Sequence, residues 1–226
     1  MASVVDQCNV ALSHVGSDAI VASIDPPDGS VEAGHCARFY PIALAELTEY
    51  HAWSFAKKRV QLTQVTNNST VWAYAYQLPS DCVNPLRVLQ ALTLADNGYY
   101  PFYPTTQYVT ADMLATYTER GSADFDNEGG VIYTHEPDAV LIYTAQNNDV
   151  TQQSAGFRTA MGYLLASYLA GPLIKGDAGA SASAKFRQVV FGRDGHGGLA
   201  AQAAATDSNS SSERAGHTPL HLQARG

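Results

Sequence analysis

The apolar residues of this chain change period twice, and that change limits the fold more than any single motif does. From Ser30 to Leu62 they recur at three- and four-residue steps. Over residues 63–149 they fall into short alternating β-branched and aromatic runs, and from Thr151 the helical step returns. One element cannot serve both periods, because side chains repeat every 3.6 residues around a helix and every 2 along a strand. The chain therefore reads as α+β, mainly α. A helical bundle is built from both chain ends, 1–62 and 150–192, with a small antiparallel β-rich insertion at 63–149 and an extended C-terminal tail at 193–226.

The stretch from Asp28 to Leu62 is expected to form one long amphipathic helix. Ser30 is placed to cap its start, since a hydroxyl oxygen accepts from an orphan amide of the first turn, and Glu32 suits the positive end of the helix dipole. Ala33, Cys36, Ala37, Tyr40, Leu44 and Leu47 share one face and need a partner surface. Pro41 removes a backbone donor inside the run, which predicts a kink or break beside Tyr40. Tyr40, Trp53, Phe55 and Trp72 are read as a structural aromatic clasp. Lys57, Lys58 and Arg59 behind it are read as cations complementing the negative helix end.

Val5, Cys8, Leu12 and Val15 predict a short first helix stopped at Gly16, and Pro26-Pro27 with Gly29 predict a connector. In the insertion, Asn67-Asn68-Ser69 is a turn between two strands, 86–94 reads as a strand although Leu86, Leu89 and Leu92 would also suit a short helix, and 95–109, rich in Tyr and Pro, is an exposed loop or edge. Residues 113–118, VIYTHEP and AVLIYTAQ complete the strands. Phe157, Met161, Leu164, Leu165, Tyr168 and Leu169 then mark a second long helix, expected to stop at Gly171-Pro172. Residues 178–191 form a third helix candidate, rich in Ala and Ser, in which Phe186, Val189 and Val190 are the large apolar anchors. Beyond Gly192 the sequence is poor in large apolar residues and is expected to be a flexible tail.

With 226 residues, 46% of them hydrophobic and 15% charged, the chain can build a sizeable core without staples. Cys8, Cys36 and Cys82 are odd in number and far apart, which matches neither a disulfide framework nor a paired-cysteine zinc site. No apolar run approaches the roughly 20 residues of a membrane span, and no signal core is expected at the start, so no membrane partner is predicted. A formal net charge of −8 excludes tight wrapping of DNA or RNA, because such affinity comes from Lys and Arg displacing counterions. Thirteen tyrosines are instead suited to a half-buried interface.

The candidate chemistry is thin. Asp124, Asp126 and Glu128 before Gly129 resemble the opening of a calcium loop, but His135 stands where the bidentate glutamate is required, and an acidic turn is the better reading. His35 and Cys36 are helical neighbours pointing about 100° apart, with no third group to orient the histidine. His135-Glu136 lacks the second histidine of a zinc helix. Gly192, Gly195, Gly197 and Gly198 lack the Lys of a phosphate loop. No catalytic residue, metal ligand or cofactor is assigned, and an enzyme such as a metal-dependent hydrolase is the remote alternative.

ALSHVG (11–16), SVEAGHCARFY (30–40), WSFAKKRVQL (53–62), YQLPSDCVNPLRV (76–88) and VLIYTAQNNDVT (140–151) resemble, in this order, blocks of the head-to-tail adaptors of short-tailed phages, the tail tubular protein A group. The resemblance spans roughly residues 8–175. It implies a virion protein of the phage neck and tail, made in the host bacterial cytoplasm. Such a protein forms a homo-oligomeric ring, usually a dodecamer, that docks beneath the portal protein, extends the DNA channel and offers a platform to the tail or nozzle protein below. DNA would pass through the lumen only transiently. A stopper or tail-completion protein of the same neck is the nearest alternative. The resemblance places portal contact in the C-terminal region, where Arg193, Leu199, Leu220 and Leu222 are the candidate contacts.

Overall fold

The computed structural model describes residues 3–18, 20–89, 122–193 and 197–210. Among the described residues the fold is mixed α+β, with five helices and two small antiparallel sheets. It divides into a unit formed by Met1–Ala56 with Gln146–Gly226 and a unit formed by Lys57–Ala145.

The first unit is helical. Helix α1, Val4–Val15, starts in a capping box: Ser3 Oγ accepts from Asp6 N and the Asp6 carboxylate accepts from Ser3 N. Helix α2, Val31–Tyr50, is capped by Ser30 and runs through Pro41. It buries Ala33, Cys36, Tyr40, Ala43, Leu44 and Leu47, so the expected face is the core face. Its end differs from the expectation. The chain leaves the helix at His51, makes a 3-10 turn at Ser54–Ala56, and enters strand β1, Lys57–Gln61. The three cations therefore belong to a strand and complement no helix end; a strand with an exposed outer face needs no apolar alternation, which is why the run is silent on periodicity.

Helix α3, Ala155–Ile174, is the centre of this unit and buries Phe157, Met161, Leu164, Leu165 and Leu169. It continues through Gly171-Pro172 rather than stopping there. The proline removes a single donor, and Lys175 N closes the end by donating to Gly171 O at 3.1 Å. Helix α4, Gly176–Phe191, lies close on α3: a Cβ on Gly179 would stand 2.9 Å from Ala170 O. Residues 198–210 correct the expected tail. They form helix α5, Gly198–Ser210, whose Ala200 and Ala203 are buried in the same core as α1 to α4.

In the second unit, strands β2 (Tyr74–Gln77), β3 (Cys82–Leu89), β4 (Ser122–Ala123), β5 (Phe125–Glu128), β6 (Val131–Thr134) and β7 (Val140–Ala145) join β1. One sheet has the order β1-β7-β3-β4 and the other β2-β6-β5. Two stretches serve both. After β1, Leu62 N still donates to Ala139 O beside β7, whereas Thr63 O and Val65 N bond Gln77 N and Ala75 O of β2. Likewise β4 pairs with β3 and the adjoining β5 pairs with β6. The hydrogen-bonded circuit therefore closes around the core of Tyr76, Val88, Ile132, Leu141 and Tyr143. The turn at 67–69 is built as expected, with Asn67 Oδ1 accepting from Ser69 N and Ser69 Oγ from Trp72 N. The acidic DFDNEGG stretch is the β5–β6 hairpin, turned at Gly129-Gly130 with φ of 59° and 82°, a conformation that favours glycine. The expected loop at 95–109 and strand at 113–118 lie outside the described residues.

Candidate functional site

The aromatic clasp belongs to the helical unit, with a different membership from that expected. Trp53 is fully buried, and its indole N–H donates to Leu47 O in the last turn of α2 at 2.8 Å. Ala56 N closes the 3-10 turn on Trp53 O at 3.0 Å. The Trp53 ring meets Phe157 of α3 edge-on at 4.9 Å, and Phe55 meets Phe157 at 4.9 Å. Phe157, not Trp72, is thus the third ring. Trp72 lies in the β unit against His135 at 4.8 Å. Tyr40 is buried but works elsewhere: its hydroxyl donates to Gln7 Oε1 at 2.8 Å, and Gln7 Nε2 donates to Gln153 Oε1 at 2.8 Å. Burial first, then the nearby Cys8, pushes the Tyr40 phenol up to about 12.

Beside the clasp, α5 is fastened by a carboxylate. Asp207 is 7% exposed; its Oδ2 accepts from Ser54 N at 2.9 Å and lies 3.3 Å from His51 Nε2, while Oδ1 accepts from Ser54 Oγ. His51 in turn packs edge-on against Trp53 at 5.0 Å. The serine bonds directly to the aspartate, and the imidazole does not lie between them to take a proton, so this trio is a clamp and not a nucleophile relay. Further along α5, Ala203 packs so tightly on α3 that a Cβ on Gly156 would stand 2.9 Å from its methyl.

A second polar tie joins α2, α3 and α4. Tyr168 OH donates to Glu46 Oε2 at 2.7 Å, Arg187 pairs with the same carboxylate, and the guanidinium lies over the Tyr168 and Phe191 rings at 5.9 and 5.5 Å. Cys8 and Cys36 are both fully buried, and the hydrogen bond from Cys8 to Cys36 pushes the Cys8 thiol up, with burial adding to it, and draws the Cys36 thiol down. Among the described residues no group of three or more His, Cys, Asp and Glu side chains stands ready to hold a metal ion, and no helix is long and apolar enough to cross a membrane.

Of the expected portal contacts, Arg193 is exposed just after α4, and Leu199 is half-buried in the first turn of α5 against the helical core. Leu220 and Leu222 lie outside the described residues. The clamp residues His51, Ser54 and Asp207 were missed from the sequence. The signal that could have found the helix is the spacing of Ala200, Ala203 and Asp207, three and four residues apart. No protein-family model matches the chain, and no curated protein matches it.

Proposed function

We propose that the chain is a structural virion protein, a head-to-tail adaptor of a short-tailed phage. In this reading it forms a ring, taken as dodecameric, beneath the portal protein, continues the DNA channel, and receives the tail or nozzle protein below. The observation that carries the reading is the discontinuous architecture: residues 1–56 and 146–226 make one helical unit and residues 57–145 a β unit inserted between them. That is the arrangement implied by the family that the five ordered sequence blocks resemble. The formal charge of −8 supports a lumen that lets DNA slide, since a cationic lining would hold it.

Portal contact is assigned to the chain end, through Arg193, Leu199, Leu220 and Leu222, as the finer part of the proposal. Because α5 packs on its own core, two truncations separate folding from contact. Removal of 211–226 keeps α5 and the clamp, whereas removal of 193–226 takes both away. The shorter truncation is expected to stay folded and to lose most portal binding in a pull-down with purified portal. Undiminished binding would move the contact off the chain end. Electron microscopy of the chain mixed with its portal tests the larger claim; a ring at another level of the neck would make the chain a stopper or tail-completion component, and no ring density on the portal would sink the adaptor reading.

A further inference from the structure

We propose that Cys8 of α1 and Cys36 of α2 are a redox pair, which a hydroperoxide oxidises to a disulfide that ties the first two helices of the helical unit together. The pair needs only the chain itself, so it goes beyond the adaptor reading and does not rest on it.

The three cysteines are far apart in the sequence, but the fold brings two of them together. Cys8 and Cys36 are both 0% exposed, lie in one core, and share a thiol–thiol hydrogen bond. The backbones of α1 and α2 come within 8 Å of each other, Cα to Cα. Ala11, three residues after Cys8, and Ala33, three before Cys36, are also fully buried, so on that side of the pair both helices carry methyl groups and no bulky side chain props them apart. Beside the pair, Gln7 Oε1 accepts from the Tyr40 hydroxyl at 2.8 Å and fixes how α1 faces α2. A disulfide needs Cα atoms about 4.4–6.8 Å apart and brings the sulfurs to about 2.05 Å. Two thiols already in contact across a seam of small residues reach that distance by rotation about χ1 and a slight approach of the helices.

The hydrogen bond also makes the two thiols unlike. Cys8 donates, which keeps it protonated, and the same bond draws Cys36 down against burial and the nearby charges of Glu32 and Asp28. The thiolate is the nucleophile, so Cys36 attacks and Cys8 resolves. Hydrogen peroxide is small enough to enter when α1 and α2 part locally. The Cys36 thiolate attacks one peroxide oxygen and the O–O bond breaks. Cys36 becomes a sulfenic acid, and the other oxygen leaves as hydroxide and takes up a proton to give water. Cys8 then loses its proton and attacks the Cys36 sulfur, the S–O bond breaks, and a second water departs. Two thiols have lost two electrons and two protons, and one peroxide has become two waters. Cys82, in the β unit, is the internal control: burial first, then Asp81, pushes its thiol up to about 11, which leaves little thiolate.

The test uses the full chain, freed of reductant and treated with hydrogen peroxide at neutral pH. Thiols are then counted in denaturant, and the chain is cut with an endoproteinase that cleaves after Glu32, between the two cysteines. The expected result is loss of two of the three thiols and a reducible link between the peptides holding Cys8 and Cys36. Cys82→Ser should lose both of its remaining thiols in the same way. The linked chain should keep its circular dichroism and resist chemical denaturation better than the reduced chain. Closing a loop of this length should lower its unfolding equilibrium about a hundredfold. In Cys8→Ala no link should form, and Cys36 should be trapped as its sulfenic acid by dimedone, which separates a lost partner from a lost fold. Thiols of the wild type that react only after unfolding, a link that involves Cys82, or a linked chain that is less stable than the reduced one would each overturn the proposal.

Discussion

Helices α3 and α5 lie in the same helical unit and are held there by opposite means. Helix α3 buries ten residues, five of them large apolar side chains. Helix α5 buries Ala200 and Ala203, tucks Leu199 partly against the core, and places an aspartate at the buried end of the same face. The first is held by apolar area removed from water, which scales with side-chain size. The second has little area to remove, so its position depends on close approach and on a buried carboxylate whose acceptors are all spoken for. A helix of the first kind tolerates loss of a hydrogen bond and suffers from loss of volume; a helix of the second kind is expected to show the reverse.

The largest effect tests the apolar side. Trp53→Ala removes a fully buried ring from between α2 and the Phe55–Phe157 pair, and also the indole donor to Leu47 O. A cost of about 3–5 kcal/mol is expected, read as a fall in global stability by chemical denaturation. Every helix of the unit, α3 included, should lose hydrogen-exchange protection together. A variant of wild-type stability would show that the clasp does not hold the unit.

The next effect tests the polar side. Asp207→Ala leaves Ser54 N and Ser54 Oγ without their acceptor and removes the neighbour of His51. About 2 kcal/mol is expected, equivalent to roughly thirtyfold in the local opening equilibrium. The loss should appear as faster hydrogen exchange confined to Gly198–Ser210, with α3 unchanged. Equal acceleration in both helices would remove the distinction between them.

Steric fit comes third. Gly156→Ala sets a methyl 2.9 Å from the Ala203 methyl and 3.3 Å from its Cα, so α5 must shift or lift. Overpacking of this kind costs about 1–2 kcal/mol, and the same exchange measurement should locate it on α5. Adding Ala203→Gly to the variant should recover most of the loss, since it removes the nearer of the two contacts.

The same contrast explains what could be read from the sequence. Helices α2 and α3 were legible because Cys36, Tyr40, Leu44 and Leu47, and Phe157, Met161, Leu164 and Leu169, repeat at helical spacing with enough bulk to demand burial. Helix α5 was not, because alanine spacing carries little hydrophobic signal and Asp207 is indistinguishable in sequence from a solvated acid. Strand β1 was hidden for a related reason: four of its five residues are exposed, so nothing in Lys57–Gln61 records a buried face. The clasp was half legible, since Trp53 and Phe55 are close neighbours in the chain whereas Phe157 reaches them only through the fold.

The smallest effect asks how far a carboxylate can hold backbone when it is not buried. Asp28 is exposed, yet its Oδ1 accepts from Ser30 N at 2.9 Å and Ser30 Oγ at 2.6 Å, and its Oδ2 from Ala22 N at 2.8 Å, fastening the connector ahead of α2. These bonds, the one from the Ser30 hydroxyl foremost, draw its carboxyl from the usual 3.8 down to about 2. A depressed carboxyl stabilises the fold fully above its ordinary value, and the contribution is lost as pH falls from 3.8 through about 2. Water competes for every one of these bonds, so the loss should be slight and local, unlike that at Asp207. Carbon-detected NMR titration of the Asp28 carboxyl should give a midpoint near 2, with exchange at Ala22 and Ser30 accelerating over the same window. In Asp28→Asn that acid-dependent acceleration should disappear. A midpoint at the ordinary aspartate value would mean that this exposed carboxylate, for all its partners, holds nothing.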